Sequence, residues 1–196
     1  MFITSPCAAG CGRFAISGTN ICYVHHADKE QATAAILSKI AENEIIKDLS
    51  VSGMRFSGID FSYRRFYGCN FRDTYFSKCT FSFSVMRMCF FDFAEFAGCE
   101  FMNSDMQFLS FAGSQIINCT FGSSELVHCN FLGATITNAC YRNLNLYNSR
   151  FINAELDNVV FNDCNVKRVN FISARKKDVV FKSSNTAEAL FEQEEV

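Results

Sequence analysis

The chain has no tryptophan and one proline in 196 residues, and neither sign of charge dominates, with 18 Lys and Arg against 20 Asp and Glu. Such a balance supplies no strong field to draw nucleic acid or an anionic membrane. No apolar run approaches the roughly 18 residues of a membrane span, and the N-terminus lacks a basic stretch followed by an apolar one. Neither a membrane helix nor a secretory signal is therefore expected, and the cytoplasm is the expected compartment. Signatures of catalysis are missing too. His128 is the only histidine beyond residue 26, the carboxylates are scattered without an acid–base pair, and no Gly-rich loop joins a strand to a helix. The expectation is a protein that is not an enzyme.

What is abundant is phenylalanine, 23 residues of it, and its placement is regular. From Met54 to Asn170 a large apolar anchor returns at every fifth position without insertion: Phe56, Phe61, Phe66, Phe71, Phe76 and Phe81 open the series, which runs on through Phe101, Phe121, Leu146 and Phe161 to Phe171. Two residues before each anchor stands a small residue or modest hydrophobe, such as Cys69, Thr74, Cys79, Ser84, Cys89 or Ala94. Residues five apart lie roughly 140° apart on a helix, so the anchors would scatter around it. On a flat strand an odd repeat would send successive anchors to opposite faces. The pattern instead requires short extended sides separated by corners that reset the phase. Gly53, Gly58, Gly68 and Gly98, then Asn138, Asn143, Asn148 and Asn153, occupy the position two after the anchor, where a tight corner needs left-handed backbone.

This five-residue motif resembles the pentapeptide-repeat family over about two thirds of the chain. The resemblance implies an all-β solenoid, a right-handed quadrilateral β-helix in which four pentapeptides close one square coil of 20 residues.

Eleven cysteines would suggest a disulfide framework in an oxidising compartment. Seven of the eight in the repeat share the phase two before the anchor, which marks them as small core residues; Cys140, one before an anchor, should face outward as a possible reactive thiol. The other three lie at the N-terminus, where Cys7, Cys11 and Cys22 with His25 or His26 form the ligand set of a tetrahedral Cys3His site. The segment resembles a short zinc knuckle, although the first spacing has three intervening residues where two is commoner. It is short, and structural zinc would order it. The expected organisation is a zinc knuckle over 1–27, a capping helix over 28–48, the repeat over 49–183 and a C-terminal cap with a short helix over 184–196.

The outward phases hold one anomaly. Phe83, Met88, Phe90, Phe93 and Phe108 are apolar where solvent is expected, and His128 continues the column of Met88 and Phe108. These six are the candidate partner-binding residues, for another protein or a second copy of the chain, unless the N-terminal segment folds over them. The family resemblance implies an alternative: quinolone-resistance relatives mimic a DNA duplex and bind type II topoisomerases. The balanced charge of the coils disfavours that reading, and a nucleic-acid ligand finds little support in the two basic residues, Arg13 and Lys29, near the knuckle.

Overall fold

A computed structural model describes residues 4–192. Anchors such as Phe56, Phe66 and Phe96 sit at the centre of short strands whose middle residue is buried and whose flanks face out, as in Arg55–Ser57 and Glu95–Ala97. Strands 20 residues apart pair in parallel: Ile45↔Arg65, Arg65↔Val85, Val85↔Asp105 and Asp105↔Glu125 on one side, Arg55↔Tyr75 and Tyr75↔Glu95 on another. One turn of the solenoid is thus 20 residues with four sides. The first face, which starts with Ile45–Lys47, stacks seven rungs through Asn145 to Asn165. All 24 anchors from Phe56 to Phe171 are no more than 2% exposed, as the five-residue period requires.

The interior is lined on opposite walls by two aromatic columns. Phe61, Phe81, Phe101, Phe121, Tyr141, Phe161 and Phe181 stack at 4.6–5.0 Å, and Phe71, Phe91, Phe111, Phe131, Phe151, Phe171 and Phe191 at 4.5–5.2 Å. These separations track the spacing of neighbouring strands, so a ring at one phase finds its like one rung away. Two residues before the anchor, small polar side chains reach back to a carbonyl 23 residues earlier. Cys79 Sγ donates to Phe56 O at 3.7 Å, Ser104 Oγ to Phe81 O at 2.8 Å and Ser124 Oγ to Phe101 O at 3.0 Å. Cys, Ser and Thr suit that position because they fill little space while satisfying an inward carbonyl.

Tyr141 is the exception in its column: the ring is fully buried and its hydroxyl has no partner. Tyr141→Phe is expected to raise stability by about 1 kcal/mol, because it removes an unpaired buried polar group and keeps the stack. Urea denaturation checks this, and a loss of stability would mean that the hydroxyl is satisfied.

Every described residue two after an anchor, from Asp48 to Ser183, has a positive φ, and 22 of these corner residues are not glycine. The corners therefore impose left-handed backbone whatever residue is present.

The ends differ from expectation. The helix α1 spans Lys29–Glu42, shorter than 28–48, with Asp28 Oδ1 accepting from Gln31 N at 2.8 Å as its N-cap. It stops because Ile46 and Val51 already occupy the anchor phase, so the chain enters the solenoid at Ile45–Lys47. Ala32, Ile36 and Ile40 bury one stripe of α1 against the open first turn, which covers the apolar end that a solenoid must cap. At the far end the short helix is a 3-10 turn, Thr186–Glu188. Leu190 and Phe191 do not lie on a helix but continue the coil, with Phe171 N donating to Leu190 O at 2.6 Å and Phe191 stacked on Phe171. Residues 193–196 of the expected cap lie outside the described residues.

Candidate metal centre and binding surface

The N-terminal segment forms a small hairpin, with an antiparallel bridge between Pro6 and Phe14 and Cys7 N donating to Arg13 O at 2.9 Å. Gly10 and Gly12, both at positive φ, turn the chain so that Cys7 and Cys11 face the same side. The 3-10 turn Tyr23–His25, closed by His25 N donating to Cys22 O at 3.1 Å, delivers the other two side chains. The ligand atoms of Cys7, Cys11, Cys22 and His25 all lie within 4.8 Å of one another. Cys7 Sγ is 3.5 Å and Cys22 Sγ 3.6 Å from His25 Nδ1, and Cys11 Sγ is 3.7 Å from Cys22 Sγ. Zinc–ligand bonds of about 2.3 Å to sulfur and 2.0 Å to nitrogen give tetrahedral edges of about 3.8 Å between sulfurs and 3.5 Å between sulfur and nitrogen, so the cluster fits the metal.

The surroundings shift the three thiols in different directions. The backbone N–H of Cys22 lowers the Cys7 thiol below its ordinary range, and that of Arg13 lowers Cys11, while burial raises Cys22. Of the two candidate histidines only His25 joins the cluster. His26 turns away, its Nδ1 buried without a hydrogen-bond partner.

The knuckle is docked on the solenoid. Ser17 N donates to Ser50 O at 2.8 Å, Ser50 N to Ser17 Oγ at 2.8 Å and Ser50 Oγ to Ala15 O at 2.9 Å, and Ile16, 1% exposed, joins the main core. Arg72 extends this contact. Its guanidinium lies 5.8 Å over the Phe14 ring and 4.8 Å over the Phe90 ring, and its Nε donates to Asp92 Oδ2 at 2.8 Å. Phe90 is thus half-buried beneath Arg72, not bare, and sequence reasoning gave no signal for Arg72 because its partners are distant in the chain.

The rest of the apolar surface stays open. Phe83, Met88, Phe93 and Phe108 are 49%, 51%, 65% and 54% exposed, so the N-terminal segment does not cover them. All four sit at corners with φ of 53–59°. Phe93 lies over Gly113, where an added Cβ would fall 2.6 Å from the ring. Phe108 stacks on His128 at 5.0 Å, and His128 Nδ1 lies 2.8 Å from Asn148 Nδ2. Tyr63, 65% exposed, stacks on Phe83 at 5.0 Å and enlarges the patch; it shares the corner phase, which was the signal available for it.

All the cysteines of the repeat are free and all but Cys140 are buried. Full burial pushes the Cys129 thiol up to about 12, and Cys99 rises to about 11, chiefly through its hydrogen-bonded neighbour Cys119. Such thiols stay protonated at neutral pH and are packing groups.

Fold and geometry together define a β-solenoid built of five-residue sides. Residues 55–91 match the family model for pentapeptide repeats in eight copies, and the same five-residue coil continues through residue 191. Among solved structures the chain is similar to QnrB1, a plasmid-mediated fluoroquinolone resistance protein, at 15% identity and a TM-score of 0.56 over 72% of this chain and 81% of that one. It is also similar to HetL, a pentapeptide repeat protein involved in heterocyst differentiation regulation in the cyanobacterium Nostoc, at 11% identity and a TM-score of 0.38 over 79% of this chain and 94% of that one. No curated protein matches the sequence. No helix among the described residues is long and apolar enough to cross a membrane.

Proposed function

We propose that the chain is a non-enzymatic binding protein of the cytoplasm: a rigid rod that presents the surface around Phe83, Met88, Phe93 and Phe108 to a protein partner. Its N-terminal cap is locked by a structural zinc at Cys7, Cys11, Cys22 and His25. The observation that carries the binding role is the choice of corner residue. Left-handed backbone favours Gly or Asn, yet four large apolar side chains occupy these corners and remain about half exposed. Burying each of them is worth roughly 1.5–3 kcal/mol, a gain the isolated chain forgoes and a partner collects. The cytoplasm suits a chain whose cysteines are all unpaired. With four protein ligands the zinc has no open position, so its role is structural. A pull-down with the protein and a Phe83→Glu/Phe108→Glu variant of equal melting temperature tests the surface. Loss of a bound protein in the variant is expected, and identical captured sets would overturn the reading.

The shared fold with QnrB1 raises a second reading, binding to a type II topoisomerase as the family resemblance implies. A duplex mimic needs a continuous acidic face, and here Arg55, Arg64, Arg65, Arg72 and Arg87 interrupt it. Weak or no protection of DNA gyrase from a quinolone is expected in a supercoiling assay, and clear protection at low micromolar protein would promote this reading.

A further inference from the structure

Charge along the rod is banded. Residues 54–87 carry six basic residues, Arg55, Arg64, Arg65, Arg72, Lys78 and Arg87, against Asp60 and Asp73, whereas residues 88–141 contain no Lys or Arg and five acids, Asp92, Glu95, Glu100, Asp105 and Glu125. The first face reads the same way rung by rung. Lys47, Arg65 and Arg87 flank its first three anchors, and Asp105 and Glu125 flank the next two. The apolar corners Phe83, Met88 and Phe108 border this face at the junction of the two bands.

We infer that the partner suited to this surface is a second copy of the chain, lying antiparallel on the first face with a two-fold axis between strands Val85–Arg87 and Asp105–Gln107. The inference rests on the binding role above and names its partner. An antiparallel two-fold reverses the order of rungs while keeping each corner column opposite itself. It sets Arg65 against the partner's Glu125, which lies as far beyond the axis as Arg65 lies before it. The large corner residues Tyr63 and Phe83 then face the partner's Ser123 and Asn103, Gly68 faces the partner's His128, and Met88 meets the partner's Phe108. Large side chains thus meet small ones, and the apolar pair lies nearest the axis. Arg87 and Asp105 already pair within one chain and leave the centre neutral. Arg65 reaches only Glu44 at 3.5 Å, with side chains 50% and 66% exposed, and Glu125 accepts from Asn145 Nδ2 at 2.7 Å, so both ends remain open to a stronger partner. A parallel arrangement about an axis along the rod fails, because it sets each rung against its own copy, so the basic rung of Arg65 meets a basic rung and the acidic rung of Glu125 an acidic one. The four rungs from Arg65–Tyr67 to Glu125–Val127 span about 15 Å at about 4.8 Å spacing, a patch smaller than a standard specific interface, so association should be weak and reversible.

Sedimentation velocity of the full chain over a wide concentration range tests the arrangement. A reversible dimer is expected, weakened about tenfold by Arg65→Glu and about tenfold by Glu125→Arg, and restored toward the original affinity in the Arg65→Glu/Glu125→Arg double variant. The restoration is specific to this register, since the two residues are three rungs apart within one chain. Circular dichroism melts confirm that each variant is folded. A monomer at every concentration, a dimer indifferent to both substitutions, or a double variant weaker than either single one would overturn the inference. A monomer that still captures a protein lost on Phe108→Glu removes self-pairing alone; a monomer that captures nothing removes the binding role as well.

Discussion

Replacing Phe101 by Ala is expected to cost about 3–5 kcal/mol, a large share of the stability of a domain this size. Phe101 is fully buried in the middle of its column, 4.9 Å from Phe81, 4.6 Å from Phe121 and 5.6 Å edge-on to Phe96. Deleting the ring leaves a void against three others whose backbones are fixed by parallel ladders on both sides, so the site has little freedom to collapse. The void also lies between stacked turns, where it weakens the contact of each turn with the next. Ser82 makes the contrast. It faces outward, half-buried, and its hydroxyl accepts from Met102 N at 3.3 Å, so Ser82→Ala should cost no more than about 1 kcal/mol. Urea unfolding of both variants measures the difference, and equal small effects would contradict the assigned inward and outward phases.

The phases were legible because one period carries three independent signals. Phe or Leu at the anchor, Cys or Ser two before it and Gly or Asn two after it answer to ring stacking, to an inward carbonyl and to left-handed backbone, and the anchor keeps the phase from Phe56 to Phe171 even where a corner such as Phe83 or Met88 departs from Gly or Asn. Where signals conflicted, the sequence was ambiguous. Ile36, Ile40 and Ile45 fit a helical stripe, but Ile46 and Val51 fit the anchor phase, and parallel pairing with Arg65–Tyr67 prevailed over extending α1. At the other end Asn185 to Phe191 has helix-compatible composition, yet Phe191 is in phase, and stacking on Phe171 with an edge-on contact to Phe181 holds it in the coil. Lys176 breaks the phase at an exposed anchor position and lies 5.5 Å over the Phe191 ring.

The candidate sites were legible in residue type but not in arrangement. Adjacent side chains differ by about 120° in direction in a 3-10 turn, so spacing alone could not separate His25 from His26; the turn Tyr23–His25 aims the first at the thiols. Docking of the knuckle was hidden as well, because it depends on Ser17 and Ile16 meeting Ser50 and the first turn, contacts across more than 30 residues. The apolar corners were visible as breaks of pattern, whereas the match between their large and small residues appears only once the 20-residue rungs are laid side by side.

Zinc removal is expected to have the second large effect, confined to one end of the rod. Protein purified without added metal should contain one zinc per chain by elemental analysis. Chelation, or Cys22→Ser, should then expose residues 4–27 to rapid hydrogen exchange and proteolysis. Binding free energies of structural zinc sites, about 10–16 kcal/mol in small fingers at neutral pH, exceed anything the few apolar contacts of this segment provide. The solenoid itself should remain folded, since its anchors bury one another without the knuckle. Its first turn should loosen, however, because Ser50 would lose the hydrogen bonds from Ser17 and to Ala15, and Arg72 would lose the Phe14 ring. Acid should mimic the chelator. The three cysteines bind as thiolates, so protons compete with the metal for them as pH falls. A protein that carries no metal and still protects residues 4–27 in reducing buffer would show that the four side chains cluster through S–H hydrogen bonding and packing alone.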